Sequence, residues 1–203
     1  MILAAGRGTR LRPLTDDTPK PMIPFAGKPL LEYIVRLLAQ HGFDEMVINL
    51  FHLPEVIQDY FGDGGDWGVS ITYSLEKDLL GTAGAVRKVA DFFDEPFLVY
   101  YGDNLTNFDL SELWQAHCRE GEIASVGLLW MDDPTSRGII GLDARSRIDS
   151  FVEKPKPDQV FDDYQINAGT YVVEPEILDR IPPDTLCDFS QDVFAGLFAE
   201  GRP

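Results

Sequence analysis

Leu3-Ala4-Ala5-Gly6-Arg7-Gly8-Thr9-Arg10-Leu11-Arg12 is the stretch whose reading decides the fold. It overlaps a short apolar run, Met1–Ala5, that reads as a buried strand, and it sets two glycines directly behind that strand. Glycine lets backbone N–H groups approach an anion and close around it as a concave nest. Arg10 adds a forked, permanently charged donor and Thr9 a hydroxyl. The loop continues to Thr18-Pro19-Lys20-Pro21, where prolines on both sides of Lys20 restrict the backbone and allow the ammonium to be aimed. Two other phosphate loops are excluded. The pattern GxxxxGK(S/T) is absent, and GxGxxG fails because Leu11 occupies the place of the third glycine.

Outward from this loop, short apolar runs alternate with segments of helical period, the pattern of a βαβ sheet. Pro29 suits the first position of a helix whose Leu30, Ile34, Leu37 and Leu38 share one face, with Gly42 as its end. Met46–Leu50 reads as a strand, Pro54–Phe61 as a helix and Val69–Tyr73 as a strand. Ala83–Phe93 is predicted helical with Thr82 as N-cap. Phe97–Tyr101 is a fully apolar strand ending at Gly102-Asp103-Asn104. Asp109 or Ser111 starts a helix through His117, and Ala124–Trp130 is a further strand. Beyond residue 134 the strands Ile139–Leu142, Ile148–Val152 and Ile166–Val173 precede helices at Glu174–Arg180 and Ser190–Glu200. The expected organisation is a single domain, 1–203. An α/β nucleotide-binding core runs to about residue 130, and a β-rich part from about 131 continues the same sheet. Parallel strands place ligands at their carboxyl ends, so the loops after Ala5, Tyr73 and Tyr101 should converge on one cleft.

Charge narrows the ligand. The 203 residues carry a formal net charge of −17, which argues against nucleic acid and anionic membrane as partners. Residues 1–28 run the other way, with Arg7, Arg10, Arg12, Lys20 and Lys28 against Asp16 and Asp17. A basic island in an acidic chain suits a small, highly charged anion. Apolar runs stay short of the ~20 residues a spanning helix needs, and the opening residues lack a secretory pattern. Cys118 and Cys187 are far apart and form neither a disulfide framework nor a zinc motif. The cytoplasm is therefore the expected compartment, and a homo-oligomer is left open.

Leu-Ala-Ala-Gly-x-Gly-Thr-Arg-Leu-Arg-Pro-Leu-Thr followed by Pro-Lys-Pro resembles the opening of the sugar-phosphate nucleotidyltransferases. The resemblance extends from Ile2 to about Gly201 and leans toward the mannose-1-phosphate guanylyltransferases through Pro19–Met22, Gly81–Gly84 and Asn167–Tyr171. It implies a Rossmann-like, glycosyltransferase-A-like α/β fold, a mixed and mostly parallel sheet flanked by helices with a β-rich sugar-binding part. It implies transfer of a nucleoside monophosphate from a triphosphate, GTP favoured, to a sugar 1-phosphate, mannose 1-phosphate favoured. Glucose-1-phosphate thymidylyl- or uridylyltransferases and a non-catalytic nucleotide-sugar sensor are the alternatives. A sensor has less need of the complete charged set Arg10, Lys20, Asp103 and Lys154.

By the same resemblance Leu3, Ala4, Ala5, Gly6, Gly8 and Thr9 hold the nucleotide, Arg10 meets the departing pyrophosphate and Lys20 sits at the reacting phosphates. Leu80-Gly81-Thr82-Ala83-Gly84 opens a helix behind a strand, and in the family this turn, with Gly81 and Thr82, lies against the base. Glu76, five residues before Gly81, offers a carboxylate that accepts from guanine N1–H and N2–H, whereas uracil and thymine present one N3–H; an exposed glutamate before a turn is the plainer reading. Asp103, behind an apolar strand, is the Mg²⁺ candidate, since that ion takes one or two carboxylates plus phosphates. Lys154 is expected to grip the sugar's phosphate, and Glu153, Asn167 and Gly169 to meet sugar hydroxyls. Gly138 resembles a sugar-pocket residue of the family, but a turn glycine is the favoured reading. The family's second metal-binding aspartate falls in a segment downstream of the part matched here, so a fragment or shortened form is expected.

Overall fold

A computed structural model of the chain describes residues 1–132, 138–153 and 155–201, apart from the side chain of Glu153. Eight strands form one mixed sheet. They are β1 (Ile2–Leu3), β4 (Glu45–Leu50), β5 (Ser70–Leu75), β6 (Phe97–Tyr101), β7 (Ala124–Leu129), β8 (Gly138–Leu142), β9 (Ile148–Glu153) and β10 (Gln165–Val173). A separate small hairpin, β2 (Pro24–Phe25) with β3 (Lys28–Pro29), follows the first loop. The sheet runs β5-β4-β1-β6-β10-β8-β9, with β7 also paired to β10. Strands β5, β4, β1 and β6 are mutually parallel, and β10 enters antiparallel to β6. The β-rich part thus continues the sheet of the first part.

Alternation along the strands builds two cores. Ile48, Leu50, Leu98 and Tyr100 face helices α1 (Leu30–Gln40), α2 (Pro54–Phe61) and α4 (Leu110–Glu120) on one side. Val47, Phe97, Val99 and Val173 face α3 (Gly81–Arg87) and the carboxyl-terminal helical turns, including α5 (Ala195–Ala199), on the other. Each face of the sheet is therefore covered, the arrangement parallel strands require. Among the described residues no helix is long and apolar enough to cross a membrane.

Several elements depart from expectation for identifiable reasons. The first strand is two residues, because Ala4 turns its N–H out of the ladder toward the Asn49 side chain at 2.6 Å. Helix α1 begins after Pro29 and buries Leu31, Ile34, Val35 and Leu38; Leu30 and Leu37 sit at the margin of that stripe. The 83–93 helix stops at Arg87 and resumes as a 3₁₀ turn at Ala90–Phe92. Asp109 does cap α4, accepting from Glu112 N at 3.1 Å. The last helix opens as a π-helical turn over Phe189–Phe194, with Asp188 as its cap, before α5.

Candidate functional site

Because β1, β4, β5 and β6 are parallel, their carboxyl ends share one sheet edge, and a cavity of about 340 Å³ opens there. That volume falls in the range of small-molecule sites. One wall is Leu3, Ala4, Ala5 and Gly6 from the first loop. A second is Glu76, Leu79, Gly81 and Thr82 between β5 and α3. Lys20, Pro21, Tyr101 and Asp103 stand on the third side, Asn49 also lines the cavity, and Leu186 and Asp188 complete it from the carboxyl-terminal segment. The loops after β1, β5 and β6 therefore converge as the sheet logic requires.

Lys20 and Asp103, 83 positions apart, meet through Nζ and Oδ2. Both are partly exposed, so an entering anion can reach the ammonium. Three other cations of the basic island are engaged elsewhere. Arg7 lies 4.9 Å over the Phe51 ring, Arg12 pairs with Asp16 at 3.2 Å, and Lys28 with Glu32 at 2.9 Å. Arg10 is exposed on the 3₁₀ turn Thr9–Leu11 and has no ion-pair partner among the described residues. Gly8 caps that turn in the left-handed region, and Gly8, Thr9 and Arg10 lie beside the cavity wall rather than in it.

Glu76 is not an exposed turn residue. It is 4% exposed, and its two oxygens accept from Asn49 Nδ2 at 2.7 Å and from Leu80 N at 3.0 Å. Thr82 does not cap α3. Its hydroxyl donates to Asp188 Oδ2 at 2.8 Å and accepts from Phe189 N at 2.9 Å. The first α3 amides go instead to a remote carbonyl, with Ala83 N and Gly84 N donating to Cys187 O at 3.0 and 3.1 Å. Gly81 makes this approach possible: its φ is +76°, and a Cβ there would collide with the Cys187 carbonyl. The Tyr101 phenol on the cavity wall is pushed far up by burial and bonds the Tyr171 hydroxyl at 3.2 Å.

Comparison with known proteins agrees with this geometry. The Nucleotidyl transferase family model matches residues 1–203. The chain belongs to the nucleotidyl transferase family. It is 40% identical to the UTP–glucose-1-phosphate uridylyltransferase of Synechocystis sp., covering 100% of this chain and 56% of that protein. It is 36% identical to the mannose-1-phosphate guanylyltransferase of Mycobacterium tuberculosis, covering 99% and 55%. The chain thus spans about half the length of the curated relatives it matches. A solved structure of a candidate glucose-1-phosphate thymidylyltransferase from Bacillus anthracis, in complex with sucrose, superposes with a TM-score of 0.87 at 25% identity, covering 99% and 82%.

Of the remaining expected residues of this family member, Asn167, Gly169 and Gly138 stand outside the cavity wall. Asn167 spends its amide on the protein, donating to Tyr171 OH at 2.8 Å and Ser190 Oγ at 2.9 Å and accepting from Gly169 N at 2.7 Å. Gly169, at φ +68°, sits where β10 bulges against β7, and a Cβ there would lie 2.7 Å from Asn104 Nδ2 and 2.8 Å from the Tyr101 ring. Its role in the structure is close packing against the Asp103 turn. Gly138 begins β8, opposite Glu153 of β9. Lys154 and the Glu153 side chain lie outside the described residues. Sequence reading missed Asn49, Tyr101, Leu186 and Asp188. Asn49 had a signal, a lone polar residue in the apolar run Met46–Leu50, whereas Leu186 and Asp188 reach the cleft only through tertiary docking.

Asp103 and Asp188 are the carboxylates against which a divalent ion can be tested. Asp188 already accepts from Thr82, Ser190 N and Gln191 N. Among the described residues no cluster of three His, Cys, Asp or Glu could hold a metal. Magnesium needs only one or two carboxylates when phosphates supply the rest. Asp103 with substrate oxygens fits that donor set; an all-protein cage does not.

Proposed function

We propose that the protein transfers a nucleoside monophosphate from a nucleoside triphosphate to a sugar 1-phosphate and releases pyrophosphate. The observation that carries this reading is the Lys20–Asp103 pair at the mouth of a cleft whose other walls are a glycine-rich loop and the Glu76–Thr82 turn. An oxygen of the sugar phosphate attacks the α-phosphorus, the bond from that phosphorus to the bridging oxygen of the β-phosphate breaks, and pyrophosphate leaves with the electron pair. The nucleophile is already an anion, so no general base and no covalent enzyme intermediate are needed. Catalysis is positioning and charge neutralisation. Lys20 neutralises the α-phosphate, Arg10 the leaving pyrophosphate, and Lys154 holds the attacking phosphate. Mg²⁺ held by Asp103, when bound, offsets phosphate charge.

The base is read at Glu76, and the preferred pair is GTP with mannose 1-phosphate. A carboxylate has about four acceptor positions, and two of those on Glu76 are used by Asn49 and Leu80. The other two suit the paired N–H groups of guanine. A second reading, UTP with glucose 1-phosphate, is favoured by the 40% identity to a uridylyltransferase along the whole chain. The cytoplasm is the compartment proposed for either reaction. The test is Mg²⁺-dependent pyrophosphate release across GTP, UTP, dTTP, ATP and CTP, each with mannose or glucose 1-phosphate. Release that requires both substrates supports the reaction, and the fastest pair selects between the readings. Triphosphate binding without release from any pair would favour a sensing role instead.

A further inference from the structure

A buried hydrogen-bond relay links the glycine loop to the base-reading carboxylate. Asn49, near the carboxyl end of β4, is 3% exposed, yet it lines the cavity. Its Oδ1 accepts from Ala4 N at 2.6 Å and its Nδ2 donates to Glu76 Oε1 at 2.7 Å. Glu76 Oε2 then accepts from Leu80 N at 3.0 Å, one residue before α3. The amide orientation follows from chemistry, since an N–H on one side demands the oxygen and a carboxylate on the other demands the nitrogen. Among the described residues no lysine or arginine pairs with Glu76, so neutral donors alone hold its carboxylate.

We propose that Asn49 is a positioning residue for base selection: it fixes Glu76 at the rotation that leaves its remaining acceptor positions facing the nucleobase. The inference rests on Glu76 reading the base, and it adds a second residue that never needs to touch the nucleotide. It also withdraws the Ala4 N–H from the nucleotide, because Asn49 already takes it. A tethered carboxylate discriminates between one and two N–H donors by geometry; a loose one turns to meet either. Loss of the tether therefore lowers discrimination more than it lowers chemistry.

The experiment is a double-mutant cycle on Asn49→Ala and Glu76→Gln, read as equilibrium binding of GTP and UTP and, where turnover is present, as separate kcat and KM values. Asn49→Ala is expected to reduce the ratio of preferred to disfavoured base affinity about tenfold, with kcat on the preferred base within about threefold. In the Glu76→Gln background it should change that ratio by less than about twofold, because the carboxylate that the tether orients is then gone. Asn49→Ser, a polar side chain too short to span Ala4 and Glu76 together, guards with urea unfolding against loss of folding and should show the same loss of discrimination. An unchanged base ratio in folded Asn49→Ala or Asn49→Ser overturns the assignment, as does full additivity with Glu76→Gln. Wild-type protein that binds no triphosphate overturns the proposed function as well. Wild type that binds with a base preference insensitive to Asn49 overturns this inference alone.

Discussion

Two clusters in the molecule pair a lysine with a carboxylate, and they are built in opposite ways. Between α1 and α2, Glu32 is 4% exposed and accepts from Lys28 Nζ at 2.9 Å, Arg36 Nε at 2.7 Å and Tyr60 OH at 2.6 Å. At the cleft mouth Asp103 meets Lys20 alone among the described basic residues, and both side chains remain about one third exposed. The first carboxylate is saturated by donors from β3, from its own helix and from α2. The second is held open, with room around its partner for another anion. Saturation stabilises a fold, whereas an incompletely satisfied pair facing a cavity is a place for a ligand to complete.

The sharpest way to break this contrast is at Lys20. Lys20→Ala is expected to lower turnover by roughly 10²–10³, the loss typical of one preorganised electrostatic donor. Stability should stay within about 0.5 kcal/mol of wild type, since an ion pair left about one third exposed contributes little. Rates with the best substrate pair and urea unfolding measure the two arms. An unchanged rate removes Lys20 from the chemistry, and a large stability loss would make the pair a structural one like that of Glu32.

Next in size is a change in the cleft wall that should behave as a structural one. Gly81→Ala puts a Cβ against the Cys187 carbonyl at a left-handed φ. A destabilisation of about 2–3 kcal/mol is expected from backbone strain and overpacking together. Urea unfolding of this variant, if it matched wild type, would show that the 185–188 segment is not seated on α3.

These two cases also show what sequence could and could not reveal. The helix Pro54–Phe61 and the strand Phe97–Tyr101 were legible to the residue, because period, proline and an apolar run agree locally. The meeting of Lys20, Asp103 and the glycine loop at one cavity was legible because strand ends and glycines mark the ligand edge of a parallel sheet. Thr82 was misread as a cap since the rule that favours it is local, while its partners Asp188 and Phe189 lie over a hundred residues away. Glu76 read equally well as an exposed turn residue because nothing in its neighbours announces Asn49, which arrives from the adjacent strand. Asn167 carries the right functional group for a sugar pocket, but tertiary packing turns that group inward onto Tyr171 and Ser190.

The smallest expected effect tests the saturated cluster itself. Hydrogen bonds from Tyr60 and Lys28, and then Arg36, hold the Glu32 carboxyl down to about 2, against the desolvation that would raise it. A carboxylate with a lowered folded-state value stabilises the protein fully above its ordinary range near ~4.5, and that contribution disappears as the pH falls toward 2. Glu32→Gln keeps the shape and removes the charge, so at pH 7 it should cost about 1–2 kcal/mol, limited by the half-exposed Lys28 and Arg36. Turnover should be unaffected, as Glu32 lies outside the cleft. Urea midpoints of wild type and variant, compared from pH 7 down to 3, should converge steadily below about 4.5. The comparison is made between the two proteins because other carboxylates titrate over the same window and cancel. A gap that persisted undiminished at pH 3 would mean that Glu32 acts through packing, and that saturation by cations and a phenol is not what distinguishes it from Asp103.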